Sequence, residues 1–114
     1  MKKELLESIA LRSLELRVGV IREETGLSYQ QALVVANRVE HLVQLLKKGE
    51  ICFSYTRQDA TVCQVRGTLL NYPAAFGRAF VNMPANRFLL YYDLDCDVWR
   101  TFHLAFLIHV YEIC

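Results

Sequence analysis

The chain has 114 residues, 54% hydrophobic and 22% charged, a balance that excludes extended disorder and gives room for one domain with a modest core. With 13 Lys and Arg against 12 Asp and Glu the formal charge is +1, so no global field draws the chain to nucleic acid or to an anionic membrane, and such binding would need a local patch. The longest apolar run, residues 104–110, contains His109 and is far shorter than the roughly 20 residues of a spanning helix. Near the start, Glu4, Glu7, Arg12, Glu15 and Arg17 interrupt any signal-peptide core. A cytoplasmic protein with no membrane insertion is expected.

From residue 2 to about 24, Leu5, Leu6, Ile9, Leu16 and Val20, with Ala10, Leu14 and Ile21 beside them, recur at helical spacing. Thr25-Gly26 should end that helix, since glycine takes the left-handed conformation of a helix stop. Ser28 and Gln31 form a capping-box signature for a second helix. Along it Ala32, Leu33, Ala36, Val39, Leu42, Val43 and Leu46 keep helical spacing up to Lys47-Lys48-Gly49, cations at the negative end and a glycine stop. So short a connection predicts an antiparallel helical hairpin over 1–48. Apolar residues cover more than half of the first helix's circumference, including Val18, which one partner helix cannot cover. The excess should pack on the rest of the fold, or bury itself in a second copy or another protein.

After Gly49 the period falls to two. Ile51, Phe53 and Tyr55 alternate with Cys52, Ser54 and Thr56, residues 57–60 form a polar turn, and a second strand runs over 61–70 with Gly67 as a bulge or bend. Residues 71–86 hold both prolines and show no sustained period, which predicts a long loop. Its Tyr72, Phe76, Phe80, Val81 and Met83 predict that it packs down on the fold. Two more strands flank the acidic turn 94–97. Alternation assigns Leu90, Tyr92, Val98, Arg100 and Phe102 to one face and Leu89, Tyr91, Asp93, Trp99, Thr101 and His103 to the other. Leu104-Ala105-Phe106 reads as a one-turn link and residues 107–112 as the fifth strand. The prediction is an α+β fold in which residues 49–114 form a small closed barrel, filled by Phe53, Val65 and Val110, packed with the hairpin as one unit.

The succession Phe53-x-Tyr55, Arg66-Gly67-Thr68-Leu69, Tyr91-Tyr92-Asp93, Trp99-Arg100-x-Phe102 and Leu107-Ile108-x-Val110 resembles the WYL-like family of small Sm/SH3-type β-barrel proteins. The resemblance covers residues 28–112, and the helices around Gln31-Ala32-Leu33 look like that family's N-terminal extension. It implies a five-stranded SH3-like or Sm-like β-barrel and carries over no catalytic residue. The related WYL regulator domain senses nucleic-acid or nucleotide ligands. Two departures stand out: relatives tend to have glycine after Asp59, where this chain has Ala60, and the 71–86 loop is apolar where relatives are often basic.

Cys52, Cys63, Cys96 and Cys114 are far apart with no CxxC pair, and free, mostly buried thiols are expected. With His103 and His109 they match no zinc spacing, so no metal and no cofactor is predicted. Asp93, Asp95 and Asp97 alternate like calcium ligands but lack the glycine and glutamate of a calcium loop, and a solvated turn in which Asp93 accepts backbone amides is expected. The candidate binding residues are Arg57, Arg66, Arg87, Tyr92, Trp99 and Arg100, with Arg78 and Tyr72 nearby in type. Arginines meeting phosphates and aromatics stacking bases at about 1–3 kcal/mol each are how small open barrels hold single-stranded nucleic acid. The competing reading places Tyr92 and Trp99 in the core, leaves the arginines as solubilising charges, and pairs Arg100 with Asp93. The expected function is a non-enzymatic binding or regulatory module engaging a protein or nucleic acid, with self-association through the N-terminal helices. The alternative is a small enzyme using a Cys or His in a cleft under the 71–86 loop.

Overall fold

A computed structural model describes residues 2–111. The Leu6 side chain, Glu112 at the expected end of the last strand, and Cys114 lie outside the described residues. In order the chain forms α1 (Lys2–Thr25), α2 (Tyr29–Lys48), β1 (Ile51–Thr56), β2 (Val62–Thr68), α3 (Tyr72–Phe76), β3 (Phe88–Asp93), β4 (Val98–His103), a 3₁₀ turn at Leu104–Phe106, and β5 (Leu107–Tyr111). No helix is long and apolar enough to cross a membrane among the described residues.

The helix boundaries follow from their caps. Gly26 takes φ +70°, and its N–H donates to the Arg22 carbonyl at 2.8 Å. Ser28 Oγ accepts the Gln31 N–H while Gln31 Oε1 accepts the Ser28 N–H, each at 3.2 Å. The inner stripe of α2 is buried as its spacing predicts. On α1, by contrast, Arg17, Val18 and Ile21 are buried, and Leu5, Ile9 and Leu16 stand 62%, 51% and 56% exposed. The stripe expected on Leu5, Ile9 and Leu16 therefore faces away from α2. Apolar residues surround this helix, so periodicity alone does not choose a side; α2 and the 3₁₀ turn choose the side of Leu14, Val18 and Ile21.

The strands form one antiparallel sheet in the order β4-β3-β2-β1-β5. No β4–β5 ladder closes it among the described residues, so the barrel is open where closure was expected, and β4 and β5 are its edges. Asp93 faces Val98, Tyr91 faces Arg100 and Leu89 faces Phe102, while Tyr92 faces Trp99, Leu90 faces Thr101 and Phe88 faces His103. The predicted grouping of faces is thus shifted by one on β4, because the four-residue turn 94–97 pairs odd-numbered positions with even-numbered ones. Phe53, Tyr55, Tyr91 and Phe102 stack within the sheet, with Phe53–Tyr91 centroids at 5.0 Å and Tyr55–Phe102 at 4.5 Å. Val65 is buried beside them and Val110 packs against the same core, which also takes in Leu42, Val43 and Leu46 of α2.

Gly67 is not a bulge. The β1–β2 register runs through it unbroken, and the irregularity lies in the β1–β5 pairing between Ser54 and Tyr55. β2 stops at Thr68 instead of Leu70 because the Leu69 N–H turns to the Leu46 carbonyl at 2.9 Å and the Leu70 N–H to Thr68 Oγ1 at 3.1 Å. Within the predicted loop, Pro73 in the first turn and Gly77 at φ +72° frame the short helix α3. Phe76 packs on Trp99 at 5.0 Å, so this segment does lie down on the outer face of β3 and β4. Cys63 and Cys96 are free, but Cys52 is disulfide-bonded, against the expectation of free thiols.

Candidate functional site

A broad cleft lies along the free edge of β4. It has a volume of 620 Å³ and is lined by Trp99–His103 of β4, Tyr55 and Thr56 of β1, Arg57, Gln58 and Asp59 of the β1–β2 turn, Phe88 and Phe106. The Leu104 N–H donates to the Arg87 carbonyl at 3.0 Å. Alternation along an antiparallel ladder then turns the backbone N–H and C=O of Trp99, Thr101 and His103 outward, away from β3. The Trp99 and Thr101 groups have no strand partner on that side among the described residues, whereas the His103 carbonyl is taken by the 3₁₀ turn that His103 caps.

The turn that forms the opposite wall is held tightly. Arg57 N–H donates to the Thr61 carbonyl at 2.8 Å and Ala60 N–H to the Arg57 carbonyl at 2.9 Å, with Ala60 at φ +69°. Asp59 Oδ1 accepts the Thr61 hydroxyl at 2.6 Å and its N–H at 3.1 Å. These bonds favour the carboxylate and hold Asp59 below the ordinary aspartate range. At the other end, His103 Nδ1 accepts the Ala105 N–H at 3.1 Å and fixes the 3₁₀ turn. Burial pushes the imidazole below its ordinary pKa, with Glu24 opposing that and Arg87 adding to it.

Three of the six candidate residues meet in this cleft: Arg57, Trp99 and Arg100. Arg57 donates to Cys63 Sγ at 3.2 Å. Arg100 Nε donates to Asp93 Oδ2 at 3.0 Å, the pairing expected from the sequence. Burial works against the Asp93 charge, but the Cys96 amide, Arg100 and the Asp95 amide outweigh it and lower the carboxyl's pKa. The other three lie elsewhere. Arg66 bridges Glu50 at 3.5 Å and Asp95 at 3.2 Å, and Arg87 pairs with Glu23 at 3.3 Å. Tyr92 packs edge-on to Trp99 at 5.1 Å, in an aromatic group that Tyr72 and Phe76 complete. Tyr55, Phe102 and Phe106 line the cleft and were missed as site residues; their aromatic type in strands signalled core, and only the open seam makes them wall.

Beneath the 71–86 segment lies a second cavity, of 430 Å³, with Arg17, Tyr72, Phe80, Asn82 and Leu89 among its walls. Among the described residues, neither cysteine nor histidine lines it. No group of three or more His, Cys, Asp or Glu among the described residues is arranged to hold a metal ion.

No curated protein and no solved structure matches the chain. Residues 39–108 match the family model WYL_2, described as an Sm-like SH3 beta-barrel fold. That span takes in the C-terminal turns of α2 and the sheet up to β5, more than half of the chain. With the strand order, the 3₁₀ turn before β5 and the motifs on β2 to β4 in agreement, the chain belongs to the WYL_2 family of Sm-like SH3 β-barrel proteins.

Proposed function

We propose that this protein is a non-enzymatic binding module whose cleft accepts an extended polypeptide segment along the free edge of β4. The Sm-like SH3 barrel family suggests a binding or regulatory module in general, and the fold is typically non-catalytic. The observation that carries the finer reading is the bare edge. Trp99 and Thr101 offer outward backbone donors and acceptors into a groove whose aromatic surface, Tyr55, Phe88, Phe102 and Phe106, suits alternate side chains of an added strand. Arg57 and Asp59 at the mouth supply one charge of each sign. A nucleic acid is less well served: Arg66, Arg87 and Arg100 are each engaged by a carboxylate, which leaves little free positive charge to release counterions.

The test is selection of random linear peptides on the intact chain. Peptides that bind wild type and lose at least about tenfold in affinity for Thr101→Pro, which deletes an outward N–H, support strand addition. Peptides indifferent to that change, or single-stranded oligonucleotides binding with a steep salt dependence while no peptide is selected, overturn it.

A second reading rests on the outward side of α1. Leu5, Ile9 and Leu16 form an uncovered stripe there, and antiparallel packing against a second copy would set Leu5 near Val20 and Ile9 near Leu16. Light scattering should give a dimer for wild type and a monomer for Leu16→Glu; a wild-type monomer dismisses self-association.

A further inference from the structure

Arg17 stands out because α1 holds a guanidinium where the chain is otherwise apolar. It is 3% exposed, and a buried cation is costly unless it is compensated. One of its N–H groups donates to Asn82 Oδ1 at 2.6 Å, and Asn82 Nδ2 donates to Glu40 Oε2 at 2.9 Å. The acid thus reaches the guanidinium through an amide relay. A guanidinium offers several further N–H donors in a fixed fork. Arg17 lies on the walls of two cavities, the 430 Å³ cavity under the loop and a neighbouring one of 390 Å³ between α1, α2 and Asn82.

The larger cavity has a mixed lining: Arg17, Arg78, Asn82 and Asn86 supply polar groups, and Phe80, Leu89, Leu90 and Leu104 an apolar surface. No Asp or Glu lines it among the described residues. Arg78 has no ion-pair or hydrogen-bond partner among the described residues, so Arg17 and Arg78 against Glu40 leave an excess of one positive charge around the cavity. The volume falls in the range of about 300–1,000 Å³ that small-molecule sites occupy. Arg17 and Arg78 also lie on different elements, and Arg17 lies outside the residues that match the family model.

We propose that this cavity binds a compact organic oxyanion, its apolar body on Leu89, Leu90 and Leu104 and its charged head on Arg17 and Arg78. The inference is independent of the peptide cleft, which shares only Phe88 with it. A charge-assisted, two-arginine grip on a carboxylate or phosphate head explains why the chain keeps a buried guanidinium at a position where leucine would pack more cheaply.

The probes are benzoate, its neutral isostere benzamide, phenyl phosphate and inorganic phosphate, titrated into the isotopically labelled full chain and followed by amide NMR shifts. Benzoate, phenyl phosphate or both should move the Asn82, Leu89 and Leu104 amides, with benzamide at least about tenfold weaker. Which of the two aryl anions binds more tightly identifies the head group. Arg78→Ala, at an exposed side chain, should weaken that anion about tenfold while leaving the spectrum folded, and Arg57→Ala in the other cleft should leave its affinity unchanged. Arg17→Met asks the same of the buried partner, and Arg78→Ala keeps the test decisive if that variant fails to fold. Absence of shifts with either aryl anion at millimolar concentration, equal binding of benzamide, or an Arg78→Ala affinity equal to wild type overturns the proposal. Inorganic phosphate binding as tightly as the aryl anions overturns the role given to the apolar surface.

Discussion

Replacing Gly67 with alanine tests the packing at the centre of the sheet. A Cβ built there would sit 2.9 Å from Tyr91 Cδ2, 3.1 Å from Phe53 Cε1 and 3.4 Å from the Tyr92 carbonyl oxygen, against about 3.5–4.0 Å for a comfortable carbon–carbon contact. Relief requires a ring to move. Phe53 and Tyr91 are both fully buried, pack edge to face at 5.0 Å, and Tyr91 is tied through its hydroxyl to Tyr55 at 2.8 Å, so neither yields easily. Overpacking of this kind costs about 1–3 kcal/mol. Alanine returns about 0.4–1 kcal/mol by restricting the unfolded chain, because Gly67 is not among the residues with positive φ. The expected net loss is about 1–2 kcal/mol, which lowers a urea midpoint by on the order of 1 M at a slope of about 1–3 kcal/mol per M. In a Phe53→Leu background the same substitution should cost less, a coupling that a double-mutant cycle measures. An unchanged or higher midpoint for Gly67→Ala, or strict additivity in the cycle, would refute the collision.

Three further outcomes follow from single residues. Ala60→Gly should stabilise the fold by about 0.5–1 kcal/mol, since Ala60 holds φ +69° where glycine is unstrained; a lower melting temperature would contradict this. Tyr91→Phe should cost about 1 kcal/mol by removing the buried Tyr55–Tyr91 hydroxyl bond, with Cys63 left as the Tyr55 hydroxyl's partner. Burial raises the pKa of both tyrosines in the native state. Their contribution is therefore intact below about pH 10, where unfolded tyrosine begins to ionise, and is lost as pH rises beyond it, a decline that Tyr91→Phe should make shallower. His103 runs the other way. Its native pKa is lowered, so the stability it contributes is present above about pH 6.5 and is lost as pH falls through the native value. Urea midpoints from pH 8 to pH 5 should drop in wild type and drop less in His103→Asn.

Much of the architecture was legible because local signals agreed with one another. The Ser28–Gln31 box, Gly26, Gly49 and the fall in period after residue 49 each report on neighbours in sequence, and the described helices and strands begin and end close to those marks. Gly67 was noticed for the right reason, a missing side chain in a strand, but its cause is two rings from β1 and β3. No local rule separates a bulge from a close approach. The short helix α3 was masked in the same way, since five residues carry too little periodicity to announce a helix, and Pro73 and Gly77 read equally well as loop.

The candidate site was less legible because it depends on parity and on edges. Had the 94–97 turn held one residue fewer, Trp99 would share a face with Tyr91 and Asp93, as alternation counted from each strand alone suggested. With four residues, Arg100 falls opposite Tyr91 and comes within reach of Asp93, and Trp99 leans on Tyr92 and the apolar loop. The predicted arginine–aromatic surface is divided by that one count. Arg66 and Arg87 go to acids contributed by Glu50, Asp95 and Glu23, which lie far from them in sequence or across the fold. The residues left to meet a partner are those beside an unpaired strand edge, and a single strand's sequence holds no record of whether a neighbour lies beyond it. Arg17 makes the same point from α1: beside Leu14 and Val18 it reads as one more exposed charge on an amphipathic helix, and only the loop arriving from residues 77–86 turns it into the wall of a cavity.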